Sequence, residues 1–158
     1  MSTIAVDNIQ NVNSGTNYNF IKQVVSFKDT NTSGDQRPSG NATFTDTDLV
    51  QSITPTSSSS KILIITSGLA YARNNAEIRL RILRDSTAVF TATSYHDDPS
   101  YWAVINTSFT HLDSPNTTDQ ITYKMQIYSQ NNSNGFRFNY QGSSNLGEAT
   151  ITLLEIAG

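Results

Sequence analysis

Residues 76–84 have the sequence AEIRLRILR, and this stretch decides between a helical and a β fold. The aliphatic side chains of Ile78, Leu80 and Ile82 alternate with mostly charged neighbours. Strict alternation is the period of a β-strand, in which successive side chains point to opposite faces. Ala, Glu, Leu and Arg also favour helices, but neither a capping residue nor a 3.6-residue stripe supports a helix here. The segment is therefore predicted to be a strand with its aliphatic face inward.

Runs of strand length continue on both sides of this segment. They include residues 61–72 (KILIITSGLAYA), 121–129 (ITYKMQIYS) and 148–156 (EATITLLEI). Turn-forming residues separate such runs at intervals of about 8 to 12 residues, which is typical of a sandwich or barrel. The side chains predicted to point inward from the second of these runs are Ile121, Tyr123, Met125 and Ile127. Eight or nine strands without a convincing helix predict an all-β protein, an antiparallel β-sandwich of jelly-roll type.

The connections between these runs carry typical turn residues. The polar stretch 29–41 contains Gly, Pro and Asn and is predicted to be a long loop. Residues 53–60, ITPTSSSS, are predicted to form a surface turn. Asn134 and Gly135 both tolerate positive φ angles, so they predict a tight hairpin before residues 136–140, FRFNY.

Composition bounds the domain organisation and the function classes. The chain has 158 residues and a formal net charge of −3, so one domain is expected, and nucleic acid, which needs a basic surface, is not an expected partner. No cysteine is present, which excludes disulfides and thiolate-bound zinc. No stretch resembles a signal peptide or reaches the roughly 20 apolar residues of a membrane span, so no membrane insertion is expected. We expect a short extended N-terminal arm at residues 1–19 and a β-sandwich head domain at residues 20–158.

Four segments together resemble a known family. They are residues 2–11 (STIAVDNIQN), 53–64 (ITPTSSSSKILI), 112–129 (LDSPNTTDQITYKMQIYS) and 149–158 (ATITLLEIAG). This set is similar to small virion proteins and tail-fibre head domains of tailed bacteriophages, especially phages of aquatic bacteria, and the resemblance covers most of the chain. It implies a homotrimeric β-sandwich on the virion, assembled in the host cytoplasm. The N-terminal arm would bind other virion proteins and the head would face outward. It implies no catalytic residue and no cofactor.

Three functions remain open at the level of sequence. The resemblance favours a non-enzymatic head at the end of a short tail fibre that binds a host-surface glycan. The alternative is a capsid decoration protein that clamps coat subunits through its arm, favoured by the lack of any shaft of repeats. A glycan depolymerase is a third hypothesis, but pairing Asp97 with Glu77 as catalytic carboxylates means choosing two of 13 acidic residues.

Candidate glycan-binding residues cluster between positions 95 and 102. Aromatic rings cover the apolar faces of sugars and carboxylates bind their hydroxyl groups. The candidates are Tyr95, His96, Asp97, Asp98, Tyr101 and Trp102. The competing interpretation is an ordinary turn at residues 97–100, after which Trp102 starts a strand with its ring in the core. A metal site is not expected, because adjacent residues on an extended chain point in different directions.

Two pairs of residues are candidates for a subunit interface. Arg79 and Arg81 share a strand face with Glu77, which suits either a solvated surface with cross-strand ion pairs or salt bridges between subunits. Leu154 and Ile156 point away from Ile151 and Leu153, so the closing strand is apolar on both faces. A sandwich covers only its inner faces, so another subunit or the N-terminal arm is expected to cover the outer one.

His111 and Asp113 form a third polar group, in the sequence HLDSP. A nucleophile, histidine and aspartate arrangement would need a nucleophile signature such as G-x-S-x-G, which the chain lacks. The pair is therefore predicted to be structural, at the end of a strand where the chain turns.

Overall fold

The computed structural model describes residues 20–30, 42–72, 76–96, 101, 103–130, 136–139 and 148–158. Within these ranges the chain forms strands and turns and contains no helix, so no helix in them could cross a membrane. The strands are β1 (Ile21–Asp29), β2 (Thr45–Ile53), β3 (Lys61–Ser67), β4 (Leu69–Ala72), β5 (Ala76–Arg84), β6 (Thr87–His96), β7 (Ala103–Asn106), β8 (Phe109–Asp113), β9 (Ile121–Ser129), β10 (Phe136–Phe138) and β11 (Ala149–Ile156).

Two four-stranded antiparallel sheets make up the sandwich, in the orders β1-β11-β3-β8 and β2-β9-β5-β6. Strand β4 continues the line of β3 beyond Gly68, and strand β7 comes directly before β8 along the chain. Together with β10 they form a three-stranded sheet in the order β10-β4-β7. When β3 with β4, β7 with β8, and β10 with β11 are each counted as one strand, the orders become 1-8-3-6 and 2-7-4-5. This is the strand order of a jelly roll, which confirms the predicted fold class.

Gly68 separates β3 from β4 at a point where backbones approach closely. A Cβ atom at this position would lie 3.0 Å from Thr107 Oγ1 and 3.1 Å from Ala149 Cβ. Such spacing is tighter than ordinary van der Waals contact, so glycine lets the sheet bend here without displacing either neighbour.

The core lies between the inner faces of the two large sheets. Ile78, Leu80 and Ile82 are buried, as the alternation of residues 76–84 predicts. The inward side chains predicted in β9 are buried as well: Ile121, Tyr123, Met125 and Ile127. Burial of these aliphatic and aromatic groups supplies most of the free energy of folding.

Strand β10 pairs with β4, with Arg137 opposite Tyr71, and the rings of Phe136 and Phe138 are buried. The hairpin predicted at Asn134 and Gly135 lies outside the described residues. The predicted arm at residues 1–19 lies outside the described residues.

The antiparallel strands give the sandwich two distinct ends. We call the proximal end the one that carries Phe20, the C-terminal Gly158 and the connections 54–60, 85–86 and 114–120. At the distal end, strands β1, β4, β6 and β9 finish and strands β2, β5, β7, β10 and β11 begin. The connections between these strand ends include residues outside the described ranges.

Candidate functional site

Two of the six predicted glycan-binding residues have described side chains, and both are well exposed at the distal end. Tyr95, near the end of β6, is 61% exposed and lies opposite Glu77 across the β5–β6 pair. Tyr101 is 74% exposed. The side chain of His96 lies outside the described set, as do the residues Asp97, Asp98 and Trp102. The alternative interpretation, a turn followed by Trp102 in the core, falls on the same residues and is likewise outside the described set. The glycan site stays a prediction.

Arg79 and Arg81 lie on the outer face of the β2-β9-β5-β6 sheet, where groups of the same chain surround them. Arg79 Nε donates to Glu77 Oε1 at 2.8 Å, and its guanidinium lies 4.8 Å from the centre of the Tyr128 ring. The hydrogen bond from Arg79 holds the pKa of the Glu77 carboxyl below its usual value, and the same bond raises the pKa of Arg79. This geometry is that of an ion pair on a solvated surface.

The second arginine extends the same network along the sheet. Arg81 lies 3.7 Å above the centre of the Phe44 ring and its Nε donates to Gln126 Oε1 at 2.6 Å. Gln126 and Lys124 both donate to Asp46, and the bond from Lys124 is the main cause of a lowered Asp46 pKa, followed by the bond from Gln126. These polar groups are thus paired within one chain.

Leu154 and Ile156 lie on the opposite side of the molecule, on the outer face of the β1-β11-β3-β8 sheet. The two predicted interface pairs therefore do not share a surface. Leu154 is in register with Val24 on one side and with Leu63 on the other, and Leu63 is in register with Leu112. These four aliphatic side chains form a continuous row across all four strands.

A buried carboxylate that the sequence analysis does not single out closes the proximal end. Glu155 has 0% exposure, and its oxygens accept hydrogen bonds from Thr56 N at 2.8 Å, Thr56 Oγ1 at 2.7 Å and Gln23 Nε2 at 2.7 Å, with a further bond from Ser60. Burial by itself would raise the pKa of Glu155. The bonds from Ser60, Thr56 and Gln23 outweigh that effect and lower the pKa to about 2. Glu155 therefore ties the 54–60 connection to the sheet.

A second buried carboxylate, Asp113, joins the two sheets at the same end. It accepts from Arg84 Nη1 at 3.0 and 2.8 Å and from the Tyr123 hydroxyl at 2.7 Å. Burial, followed by the bond to Asp113, raises the pKa of Tyr123, so its hydroxyl keeps its proton and remains a donor. His111 packs with its ring centre 5.4 Å from that of Phe90. The contacts of His111 and Asp113 are those of structural residues.

Known proteins similar to this chain are found among solved structures. No protein-family model and no curated protein matches the chain. Solved structures of infectious bursal disease virus are similar in shape. For the Gt strain the identity is 10% and the TM-score 0.44, over 100% of this chain and 43% of that one. For the Gx strain the identity is 10% and the TM-score 0.45, over 100% of this chain and 42% of that one. For the VP2 subviral particle the identity is 11% and the TM-score 0.41, over 100% of this chain and 43% of that one. The chain thus spans less than half the length of these viral chains.

In the described part of the chain, no group of three or more His, Cys, Asp or Glu side chains is placed to hold a metal ion.

Proposed function

We propose that this chain is a non-enzymatic structural protein of a bacteriophage virion, a homotrimeric head whose distal end binds a host-surface glycan. The observation that carries the proposal is the polarity of the sandwich. Phe20, the first described residue, lies at the proximal end, so the predicted arm of residues 1–19 would join the head at the end proposed to face the particle. The candidate recognition residues lie at the other end. The proposal also draws on the resemblance to virion proteins of tailed phages.

The two ends are built for different tasks. At the proximal end, Glu155 and Asp113 fasten the connections through buried hydrogen bonds. At the distal end, the rings of Tyr95 and Tyr101 are exposed. Binding residues are commonly carried on loops that a rigid scaffold positions. Exposed aromatic rings at the end opposite Phe20 are the arrangement expected of a receptor-binding head.

The position of the protein on the virion tests this proposal against the alternative of a capsid decoration protein. Particles carrying gold-labelled antibody to this chain are examined by electron microscopy. Label clustered at the tail supports the receptor-binding head, whereas label distributed over the capsid supports the decoration protein. Absence of label from purified particles contradicts both.

The double variant Tyr95→Ala with Tyr101→Ala removes both exposed rings at the distal end. It is expected to attach to host cells at least tenfold more weakly, because stacking on sugar faces needs the aromatic ring. Each lost anchor costs about 1 kcal/mol or more of binding free energy. The measurement is binding of the purified, fluorescently labelled protein to host cells and to their extracted polysaccharide.

The matched control is Tyr95→Phe combined with Tyr101→Phe, which keeps both rings and should retain most of the binding. Both side chains are exposed, so neither double variant should lower the melting temperature appreciably. Unchanged attachment of the alanine variant would place the receptor site elsewhere.

A further inference from the structure

We infer that the glycan site proposed for the distal end continues onto the outer face of the β2-β9-β5-β6 sheet and takes a neutral sugar. The sugar ring stacks on Tyr95, and two of its neighbouring hydroxyl groups bind the Glu77 carboxylate and the Arg79 guanidinium. The inference rests on the proposed function and adds the chemical class of the ligand and two polar residues that orient it. It gives Arg79 a part in recognition instead of in a subunit interface.

The register of β5 and β6 brings these side chains together. Glu77 and Arg79 alternate with the buried Ile78, so both point to the outer face of the sheet. Tyr95 is the partner of Glu77 across the strand pair, and the exposed Thr93 is the partner of Arg79. Neighbouring strands lie about 4.8 Å apart, and alternate residues of one strand about 6.8 Å apart. At these spacings a single sugar unit on the Tyr95 ring can reach both charged groups.

Arg79 is held in place by groups of its own chain. Its Nε donates to Glu77 Oε1 at 2.8 Å, and its guanidinium lies 4.8 Å from the centre of the Tyr128 ring. Tyr128 is buried, and its ring centre lies 5.1 Å from that of Phe44. A polar side chain that is already ordered loses little conformational entropy when a ligand binds. The pair of Glu77 and Arg79 is therefore suited to recognition.

The same ion pair leaves hydrogen-bonding capacity directed to solvent. Within the described part of the chain, the two Nη groups of Arg79 donate to no protein acceptor, and Oε2 of Glu77 accepts from no protein donor. The two side chains remain 38% and 25% exposed. A hydroxyl group both donates and accepts, so adjacent sugar hydroxyls can donate to the carboxylate and accept from the guanidinium.

The charges at this position favour a neutral sugar over an acidic one. Glu77 and Arg79 compensate each other at 2.8 Å, so a uronic acid or a sulfate group would meet a guanidinium that is already paired and a carboxylate that repels it. The bond from Arg79 also holds the pKa of Glu77 below its ordinary value, so the carboxylate remains an acceptor at neutral pH. The exposed ring of Tyr95 supplies the apolar contact.

A second ion pair on the same outer face provides matched controls. Lys124 Nζ lies 2.8 Å from Asp46 Oδ2, the same distance as in the pair of Glu77 and Arg79. Lys124 is in register with Leu83, six residues along β5 from Glu77 and hence about 20 Å away. Substitutions at this second pair therefore change charge on the same sheet without touching the proposed site.

The test uses oligosaccharides released from host-cell polysaccharide and separated by anion exchange into neutral and acidic fractions. Each fraction competes with host cells for the labelled full-length protein. We expect the neutral fraction to inhibit attachment of the wild type, and Glu77→Gln and Arg79→Gln each to bind it at least about tenfold more weakly. Asp46→Asn and Lys124→Gln should bind as the wild type does. Exposed ion pairs contribute little to stability, so no variant should lower the melting temperature appreciably.

Salt dependence separates neutral from acidic recognition in the wild type. Raising sodium chloride from about 0.05 M to about 0.5 M should change binding less than about twofold, because salt screens contacts between exposed charges but not those of uncharged hydroxyls. Inhibition by the acidic fraction alone, or a loss of binding in high salt, overturns the assignment of a neutral sugar.

A steric probe leaves both ion pairs intact. The chain has no cysteine, so Thr93→Cys and Val50→Cys each create one attachment point for a bulky maleimide. The label at position 93, beside Arg79, should abolish binding, whereas the label at position 50, in register with Lys124, should not.

Failure of this inference can be told apart from failure of the proposed function. If the wild type binds host glycan and either Glu77→Gln or Arg79→Gln binds it equally well, the inference is overturned and the proposed function stands. Equal loss of binding in Asp46→Asn also overturns the inference. A wild type that binds no host glycan contradicts both.

Discussion

Acidification is expected to destabilise the wild-type protein more steeply than a Glu155→Gln variant between about pH 4.5 and pH 2. The folded-state pKa of Glu155 is about 2, whereas its ordinary value is 4.5. The unfolded chain therefore takes up a proton from about pH 4.5 downward while the folded chain does not. The stabilisation from Glu155 is fully present above that pH and is lost as the pH falls toward 2. Its size is about 3 kcal/mol, at 1.36 kcal/mol per pH unit of difference.

The physical cause is the set of donors around this carboxylate. Replacing the carboxylate with an amide puts one NH₂ group among donors from Thr56, Gln23 and Ser60, where only acceptors are useful. At neutral pH, Glu155→Gln should therefore lower the free energy of unfolding by about 3 kcal/mol, and the difference from wild type should shrink as the pH approaches 2. Urea unfolding at a series of pH values measures both quantities.

Glu148→Gln is the matched control for this prediction. Glu148 precedes the same strand, and its ion pair with Lys28 is exposed, so its loss should change stability by less than about 1 kcal/mol at any pH. If the stability of Glu155→Gln declined between pH 4.5 and 2 as steeply as that of wild type, another group would be responsible for the acid response.

The fold was predictable because burial leaves a simple periodic trace in the sequence. Alternation in residues 76–84 and 121–129 identifies which side chains point inward, and the structure buries those side chains. The same alternation contains a signal for Glu155, which is in phase with the buried Ile151 and Leu153. An acidic residue at an inward position requires donors, and the hydroxyl-rich turn at residues 53–60 supplies them.

Contacts between distant strands left no comparable trace. Arg84 belongs to a dense arginine group in the sequence, yet it pairs with Asp113, whereas Arg79 and Arg81 pair on the outer face. The partners of Arg81 and Arg84 lie on other strands and depend on strand order and register, which a single sequence does not specify, whereas Arg79 pairs with Glu77 two residues away on its own strand. For the same reason, sequence alone could not separate Arg79 and Arg81 from Leu154 and Ile156 as members of opposite faces.

Asp113→Ala is expected to lower the free energy of unfolding by about 3 kcal/mol, which would place it among the most destabilising single changes outside the hydrophobic core. The substitution leaves the buried hydroxyl of Tyr123 without its acceptor and removes the partner of Arg84. Tyr123→Phe should cost less, about 1 to 2 kcal/mol, because Asp113 keeps both bonds from Arg84 and the aromatic ring still fills the core. Urea unfolding at neutral pH measures both values.

The double variant tests whether this cluster acts as one unit. Once Tyr123 is Phe, Asp113→Ala no longer strands a buried donor, so the two changes together should cost less than the sum of the single changes by about 1 kcal/mol or more. A double-mutant cycle with strictly additive costs would mean that the 2.7 Å bond between Tyr123 and Asp113 contributes nothing to joining the sheets. Because Asp113 lies on β8 and Tyr123 on β9, in different sheets, a non-additive result would show that this bond couples the two layers at the end of the head where the chain enters.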